Sequence, residues 1–588
     1  MQAATQFQGT GSSHELAALL LTESVQHSLH VTKRPLFVLL VDAMSAFDKV
    51  VRECTIRNAY LAGTTGHSLL YLNSRLEHRK TNVEFDKVLM GPIRDLVGLE
   101  QGGVNSDKLY KLNSNVQLTM AQQSGLGADL GSATVSAIGQ ADDTVLQSHS
   151  LHQLNSLVQL TVDYCQSYHV ELVAEKTKLL AFYPNHLKLE VYLQNLLHPI
   201  ILNDIGIDFS SSAEHVGIIR SCSGGNMPNI ISRLSAHTKA IMAVLPSGMA
   251  LSHRGNPTAS LRLEKLYGTP VLLSGLASLV LCDEEFASVH HHHKLNLQRL
   301  QRLHLATPEC VVFFLAGSLP ATALLHLRML GLLGLIARLG PDNILHNHGR
   351  YILLSESRNK LCKSWFLSVR AICQKYNLTD PLLVLQSPLT KEKWKKLCKS
   401  RIIDWWEQHL RAAAELLPSL THFKPSFMSL SSPHPLWASA GSPYEVGKAV
   451  IAARMLSGRY RTDRLTRHWT QFNPDGLCRL PGCSGQVGDL AHILLHCPAL
   501  SDSRSRIVSL ISAFLVSRSQ LFPIIYHYTI EDDSGLLQFL LDPSCLPLVI
   551  STDRIYPDTI KNCHYLARTW CYTIHLSRTK LMKELDLK

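Results

Sequence analysis

The stretch Thr134-Val-Ser-Ala-Ile-Gly-Gln-Ala-Asp-Asp-Thr-Val-Leu-Gln147 decides the fold. Two short apolar runs, Val135 to Ile138 and Thr144 to Leu146, are held apart by a polar tip with adjacent carboxylates, Asp142 and Asp143. The pattern predicts a β-hairpin with acids at its turn. Carboxylates so close repel one another, and a bound cation would relieve that repulsion. An Asp-rich surface turn is the plainer account, because Asp side chains hydrogen-bond locally in turns. A third carboxylate on a neighbouring strand is what would separate the two.

Asp42 supplies it. The run Pro35-Leu-Phe-Val-Leu-Leu-Val41 is almost wholly apolar, the pattern of a strand buried on both faces in the middle of a sheet. It stops at Asp42, the end of a strand where α/β folds put their chemistry. Ser12 to His30 has apolar residues at helical spacing, and Ala43 to Tyr60 can turn and run as a helix. Short strands are expected at Asn82 to Phe85 and Lys87 to Met90, then a glycine cluster at Gly98-Leu-Glu-Gln-Gly-Gly103. A helix with Leu109, Leu112, Val116 and Met120 on its stripe precedes the acidic hairpin. A second helix, striped by Leu154, Val158, Thr161, Cys165 and Tyr168, follows it, and a strand pair, Val170 to Ala174 and Lys178 to Phe182, closes the unit. The order β-α-ββ-helix-hairpin-α-β predicts an α+β fold, an antiparallel sheet with helices on one side. Three carboxylates on its central strand and hairpin can hold two Mg²⁺ about 3.5–4 Å apart, the arrangement for in-line nucleotidyl transfer.

The run Val41-Asp-Ala-Met-Ser-Ala-Phe-Asp-Lys-Val50 resembles the first catalytic motif of reverse transcriptases from non-LTR (LINE-type) retrotransposons. Gly98-Leu-Glu-Gln-Gly-Gly-Val-Asn-Ser106 resembles their Gln-Gly motif, Ile138-Gly-Gln-Ala-Asp-Asp-Thr144 their Ala-Asp-Asp box, and Glu175-Lys-Thr-Lys178 the Lys-Thr motif after it. Gln6-Phe-Gln-Gly-Thr-Gly-Ser-Ser-His14 resembles the segment joining fingers to palm. The resemblance spans about Thr5 to Phe182 and implies the palm of a right-hand polymerase, an RNA-directed DNA polymerase. It implies Asp42 and Asp142 as the principal Mg²⁺ ligands with Asp143 beside them. Phe47 would sit under the incoming sugar and exclude a 2′-hydroxyl, since a planar ring leaves no room for the extra oxygen. Gln101 and Gly102 would contact the nucleotide and template base, where a glycine permits close backbone approach. Lys176 would stabilise or protonate the pyrophosphate. The partners implied are an RNA template, a DNA primer or target, and dNTP, with no organic cofactor and a nuclear location. Two features depart from the family. Gln140 stands where the box carries an aromatic residue, and Val173 where many relatives have Asn. Little precedes the palm, so an N-terminally truncated chain without endonuclease or most of the fingers is expected. A catalytically inactive remnant that only binds nucleic acid is the second reading of the same residues.

The rest of the chain extends this outline. Lys and Arg outnumber Asp and Glu by 57 to 46, a net charge of +11 that permits a polyanionic partner without requiring one. The opening has no basic leader before its apolar run, so no signal peptide is expected. The 14 Cys are scattered, which argues for reduced thiols inside the cell. Pro270 to Leu281 and Cys310 to Leu325 fall short of the ~20 residues of a membrane span and read as buried helices. No transmembrane segment is expected.

One cluster interrupts the scatter, Cys478-x4-Cys483-x8-His492-x4-Cys497. Two thiolates from a Gly/Pro loop, then His and Cys from one helix, suit a closed, structural Zn²⁺ site. His496 is a near competitor for a place in it. The context Ala491-His-Ile-Leu-Leu-His-Cys-Pro498 resembles the Cys-Cys-His-Cys element downstream of LINE-type polymerases. The run Lys391 to Arg401, with Lys393, Trp394, Lys395, Lys396 and Arg401, followed by Trp405 and Trp406, can pair phosphates while its indoles stack on bases. An amphipathic helix with a solvated basic face and buried Trp fits equally. Arg568, Arg578, Lys580 and Lys583 on a C-terminal helix admit the same two readings. His290 to His293, with Cys282 and Asp283 to Glu285 shortly before, reads as exposed helix surface.

The expected organisation is a remnant of fingers at 1–32, the palm at 33–185, a thumb-like helical region at 186–385, a basic Trp-containing region at 386–470, and the zinc element with C-terminal helices at 471–588.

Overall fold

The computed structural model describes residues 5–7, 13–44, 47–77, 80–94, 97–100, 103, 105–183, 200–202, 204–244, 255–355, 363–438, 440–467, 473–517, 533–545 and 556–585. These fall into two compact units, and every named strand of the described residues lies in the first. Unit 1 is Met1–Ser232 with Leu273–Phe286 and Leu325–Arg401; unit 2 is Arg233–Leu272 with Ala287–Leu324 and Ile402–Lys588.

In unit 1 the chain runs α1 (His14–His27), β1 (Leu36–Val41), α2 (Arg52–Leu61), α3 (Gly66–Glu77), β2 (Lys80–Phe85), β3 (Val88–Arg94) and α4 (Ser106–Gln123). It continues with β4 (Ala128–Asp129), β5 (Thr134–Val135), β6 (Ala137–Gln140), β7 (Asp143–Ser148), α5 (Leu151–Tyr168) and β8 (Lys178–Phe182). The main sheet has the order β6-β7-β1-β8, antiparallel throughout, so the apolar run at 36–41 is paired on both edges. Phe37, Leu39 and Val41 point into a core shared with Leu118 and Ala121 of α4 and Leu154, Leu157 and Val158 of α5. By strand alternation Leu36 and Val38 point the other way. On that face Gln147, opposite Val38, donates to Ser24 Oγ of α1 at 3.0 Å. The sheet therefore carries helices on both faces rather than on one, as a strand apolar on both sides requires.

Further local expectations shift. The helix after Asp42 begins only at Arg52, because the preceding backbone is bonded elsewhere. Met44 N–H donates to Glu171 O at 2.8 Å, while Phe47 O and Val50 O accept from Leu99 and Gly98 N–H at 2.8 Å each. Gly98 has φ +87°, and a Cβ there would lie 2.6 Å from Asp48 O. The strand expected at Val170 to Ala174 is reduced to one bridge, Ala43 to Leu172. On α4 the fully buried face is not the leucine stripe but Tyr110, Asn113, Ser114, Gln117, Leu118 and Ala121. Its polar members are satisfied: Asn113 donates to Thr55 Oγ1 at 2.8 Å and accepts from Asn58 Nδ2 at 2.8 Å, and Gln117 donates to Thr161 Oγ1 at 3.3 Å. Hydrogen-bonded polar groups can fill a core as apolar ones do, which a hydrophobic pattern alone does not register.

Helix α1 is buried almost all round, polar residues included. Glu23 is 1% exposed. Its carboxylate accepts from His348 Nε2 at 3.0 Å, Ser364 Oγ at 2.7 Å and the Trp365 N–H at 2.7 Å. Arg220, also buried, donates to Thr22 Oγ1 and Ala18 O at 2.8 Å each. These bonds tie segments 200 to 340 residues apart in sequence to one helix.

Unit 2 is mainly helical, with Pro257–Leu263, Glu309–Ala316, Pro443–Leu456, Ser501–Ser517, Asp533–Leu541 and Tyr556–Glu584 among its helices. Among the described residues one helix is long and apolar enough to cross a membrane, Ala321–Leu339, and 56% of its most apolar stretch is buried inside the protein. The two apolar runs at 270–281 and 310–325 are packed: Leu272, Leu276, Val311, Phe313 and Phe314 are wholly buried. The histidine run is a correction. It lies on Asp283–Leu300, and instead of facing solvent His293 is wholly buried while His290 pairs with Glu309 at 3.1 Å.

Removing the Glu23 carboxylate leaves three buried donors unpaired. Glu23→Ala is therefore expected to cost about 3–5 kcal/mol of unfolding free energy, and Glu23→Gln clearly less because one acceptor remains. Urea denaturation of both variants checks the ranking; equal losses would show that the carboxylate bonds contribute little.

Candidate functional site

The acidic hairpin forms as expected. Strands β6 and β7 pair from Ala137↔Leu146 to Gln140↔Asp143, leaving Ala141 and Asp142 as the turn. Ala141 sits at φ +55°, a conformation unusual for a residue with a Cβ. The register between β1 and β7 ends at Val41↔Thr144. One residue further, Asp42 leaves β1 level with Asp143 at the start of β7, and Asp142 is next to it. Antiparallel pairing thus brings residues a hundred positions apart to one end of the sheet.

Lys176 joins them from the turn after the Ala43–Leu172 bridge, its Nζ 3.5 Å from Asp42 Oδ2. Both side chains are well exposed, at 70% and 39%, so the pair contributes no more than ~1 kcal/mol. Asp143 is different: burial first, then the like charges of Asp142, Asp42 and Glu214, push its carboxyl up to about 6. Asp143 is itself exposed, so burial counts for less here than the crowding of negative charge. Among the described residues, the three aspartates are not one of the sets whose ligand atoms converge to within 4.8 Å. Gln140 Oε1 is buried without a partner.

Beneath the acids lies an aromatic pair. Phe47 stacks on Tyr110, ring centroids 4.6 Å apart and planes at 23°. The pair packs with Val50, Leu76 and Leu99. Burial, with the Asp142 carboxylate as the next cause, holds the Tyr110 hydroxyl well above its usual range. Tyr110 escapes a sequence reading because it falls one position off the leucine stripe of α4; its aromatic character on a helix next to the glycine cluster is the available signal. Gln101 and Gly102 lie outside the described residues.

The cysteine cluster closes. Cys478, Cys483, His492 and Cys497 are all buried, and their ligand atoms lie within 4.8 Å of one another. The loop is zipped by Cys478 N–H to Gln486 O at 2.7 Å and Gly488 N–H to Gly476 O at 2.8 Å. His492 begins a π-helical turn, His492–His496, in which Cys497 N–H reaches back to His492 O at 2.7 Å. That wider turn, rather than an α-helix, presents His492 and Cys497 to the same point. His492 Nε2 has no hydrogen-bond partner, although buried. Cys483 and Cys497 Sγ are 3.4 Å apart. Hydrogen bonding from Cys497 is the main cause that pulls the Cys478 thiol down to about 5, while Cys497 itself is pushed up. Three sulfurs and an orphaned imidazole nitrogen fit a tetrahedral zinc ion. His496 is not part of the set; it is half-exposed and pairs with Asp533 at 3.2 Å.

The basic run lies on the helix Lys391–Glu415. Lys393, Lys395, Lys396 and Arg401 are exposed on it. Trp394 is not accessible for base stacking: it is 3% exposed, and its Nε1 donates to Leu330 O at 2.7 Å. Of the two readings left open, the buried indole holds for Trp394, and Trp406 is buried as well. On the C-terminal helix Arg568 and Arg578 are buried against Glu445 and Asp463, at 2.7 and 3.3 Å, while Lys580 faces solvent.

Compared with known proteins, the chain matches no family model and no curated protein.

Cys483→Ser is expected to abolish zinc binding at this cluster and destabilise unit 2 by several kcal/mol, given the ~10–16 kcal/mol typical of structural zinc in finger peptides. Metal content and melting temperature read it out. Asp143 gives a pH test. Its folded-state pKa lies above the unfolded value, so the cost to stability sets in as pH rises above about 4 and is complete above about 6. Asp143→Asn should therefore raise the melting temperature at pH 7.5 and leave it unchanged at pH 4, the gain being on the order of 1 kcal/mol after allowing for solvent screening. A gain at pH 4 as large as at pH 7.5 contradicts the charge crowding.

Proposed function

We propose that the acidic end of the β1–β7 pair is the catalytic centre of an RNA-directed DNA polymerase, derived from a non-LTR retrotransposon, that extends a primer 3′-hydroxyl with dNTP. The observation that carries this reading is the register. Asp42 and Asp143 end neighbouring strands at one level, with Asp142 in the turn and Lys176 beside Asp42. The four-stranded antiparallel sheet then corresponds to the palm, and the helical remainder to thumb-like and C-terminal regions.

Three carboxylates are hard oxygen donors of the kind Mg²⁺ takes, with substrate phosphates completing its shell. Bound between them, two Mg²⁺ would activate the attacking hydroxyl and offset charge on the phosphorus and pyrophosphate. The chain's own residues divide the remaining work. Asp42 and Asp142 would hold the cations, and Asp143, crowded by like charges, would add to a field that favours them. Lys176 is an exposed cation able to neutralise or protonate the departing pyrophosphate. Phe47, fixed by its stack on Tyr110, is the rigid face that would exclude a ribose 2′-hydroxyl. Exposed Lys393, Lys395, Lys396 and Arg401 supply phosphate contacts along the template or target strand. Gln101 and Gly102, on nucleotide and template base, and the nuclear setting rest on the resemblance alone.

A second reading, binding of nucleic acid without turnover, is favoured by one observation. The three aspartates do not converge as a ligand set. Primer extension on poly(rA)/oligo(dT) with Mg²⁺ distinguishes the two. Asp42→Ala and Asp142→Ala are expected to reduce incorporation by at least ~10²–10³-fold; wild-type incorporation no higher than theirs sinks the polymerase reading. Replacing Lys393, Lys395, Lys396 and Arg401 by Gln should lower the salt slope of binding by ~0.9 for each phosphate no longer neutralised on duplex and ~0.7 on single strands.

A further inference from the structure

A second set of ligand-type side chains lies in unit 2, distinct from Cys478, Cys483, His492 and Cys497. His434 precedes the short helix Pro435–Ala438, Asp542 follows Asp533–Leu541, and His564 lies on Tyr556–Glu584. All three are at most 3% exposed. One ring nitrogen of each histidine and one Asp542 oxygen lie within 4.8 Å of one another. His434 Nε2 is 3.5 Å from Asp542 Oδ1, and the two rings stand edge to face with centroids 5.4 Å apart.

We propose that His434, Asp542 and His564 form a second metal site, for a divalent first-row cation such as zinc. Two buried nitrogens have no hydrogen-bond partner, His434 Nε2 and His564 Nδ1. Unpaired polar atoms in a packed interior are costly, and native structures ordinarily give them a partner. Here the orphans belong to two imidazoles that converge with a carboxylate, the donor set of borderline cations. The other ring nitrogens are occupied: His564 Nε2 bonds Ser544 Oγ at 2.9 Å, and His434 Nδ1 accepts the Leu436 N–H at 3.2 Å. Ser544 N–H also donates to Asp542 Oδ1 at 3.1 Å. The two Ser544 contacts orient His564 and Asp542, as second contacts do around known metal centres.

The site would differ from the cysteine cluster in kind. It has two nitrogens and an oxygen rather than three sulfurs and a nitrogen, and three protein ligands rather than four. Binding at His434 Nε2 moves that ring's proton to Nδ1 and gives up the long bond from Leu436, the one interaction the metal displaces. Three segments distant in sequence, around 434, 542 and 564, would then be joined at one point.

The full chain produced in cobalt-supplemented medium tests this. Wild type is expected to retain two equivalents of Co²⁺ through gel filtration. One should show thiolate-to-metal charge transfer; the other should show only the weak visible bands of nitrogen and oxygen ligands. His564→Gln and His434→Gln should each retain one equivalent with the thiolate band intact, and Cys483→Ser one equivalent without it. A wild-type chain that holds only the equivalent with the thiolate band overturns the proposal. So does a second equivalent that also persists in either histidine variant, since it would then sit on surface histidines.

Discussion

The structure of unit 1 depends on a single constraint. The strand Leu36–Val41 is apolar on both faces, and its backbone has to be paired on both edges. A strand in that position is withdrawn from water altogether, so each N–H and C=O must find a neighbour and each face a covering layer. Strands β7 and β8 supply the first, and α4, α5 and α1 the second. The end of such a strand is where polarity can resume. Asp42 stands there, and antiparallel pairing fixes which residue of β7 it meets. The acidic constellation follows from burial of the strand, not from any attraction between its members, which repel.

That repulsion costs stability rather than adding to it. Asp143 is held at a proton affinity higher than its ordinary value by burial and by the charges of Asp142, Asp42 and Glu214. Lys176 answers only part of that charge, from an exposed position. Groups pushed apart in this way cluster at functional sites more often than elsewhere, although ion networks can shift them too. The supporting layer is rigid by comparison: Phe47 stacked on Tyr110, and Gly98 lying against Asp48 where no side chain would fit.

Buried polar groups recur through both units in different roles. Glu23 gathers three donors and joins α1 to segments beyond residue 340. In unit 2, Arg568 and Arg578 are neutralised inside the protein by Glu445 and Asp463. His492, His434 and His564 stand in another setting: each has a buried ring nitrogen without a hydrogen bond, and its neighbours are further ligand-type side chains. That convergence, not the unpaired nitrogen alone, is what separates a candidate cation site from a structural clasp.

The sequence by itself determined the elements whose signals are local: the apolar strand ending in Asp42, the acidic hairpin, the cysteine cluster and the exposed basic face of the helix at Lys391. In each, a run, a spacing or a periodicity carries the information. Tertiary structure alone decided the rest. The helix after Asp42 starts late because its first peptide groups bond to Gly98, Leu99 and Glu171. Trp394 and His293 are interior because Leu330 and Glu264 come to meet them. The buried face of α4 is polar because Thr55, Asn58 and Thr161 satisfy it. The set His434, Asp542 and His564 has no spacing at all to read. Periodicity records which face of an element avoids water; it does not record which distant side chain will complete a hydrogen bond, and that choice is made only when the segments pack.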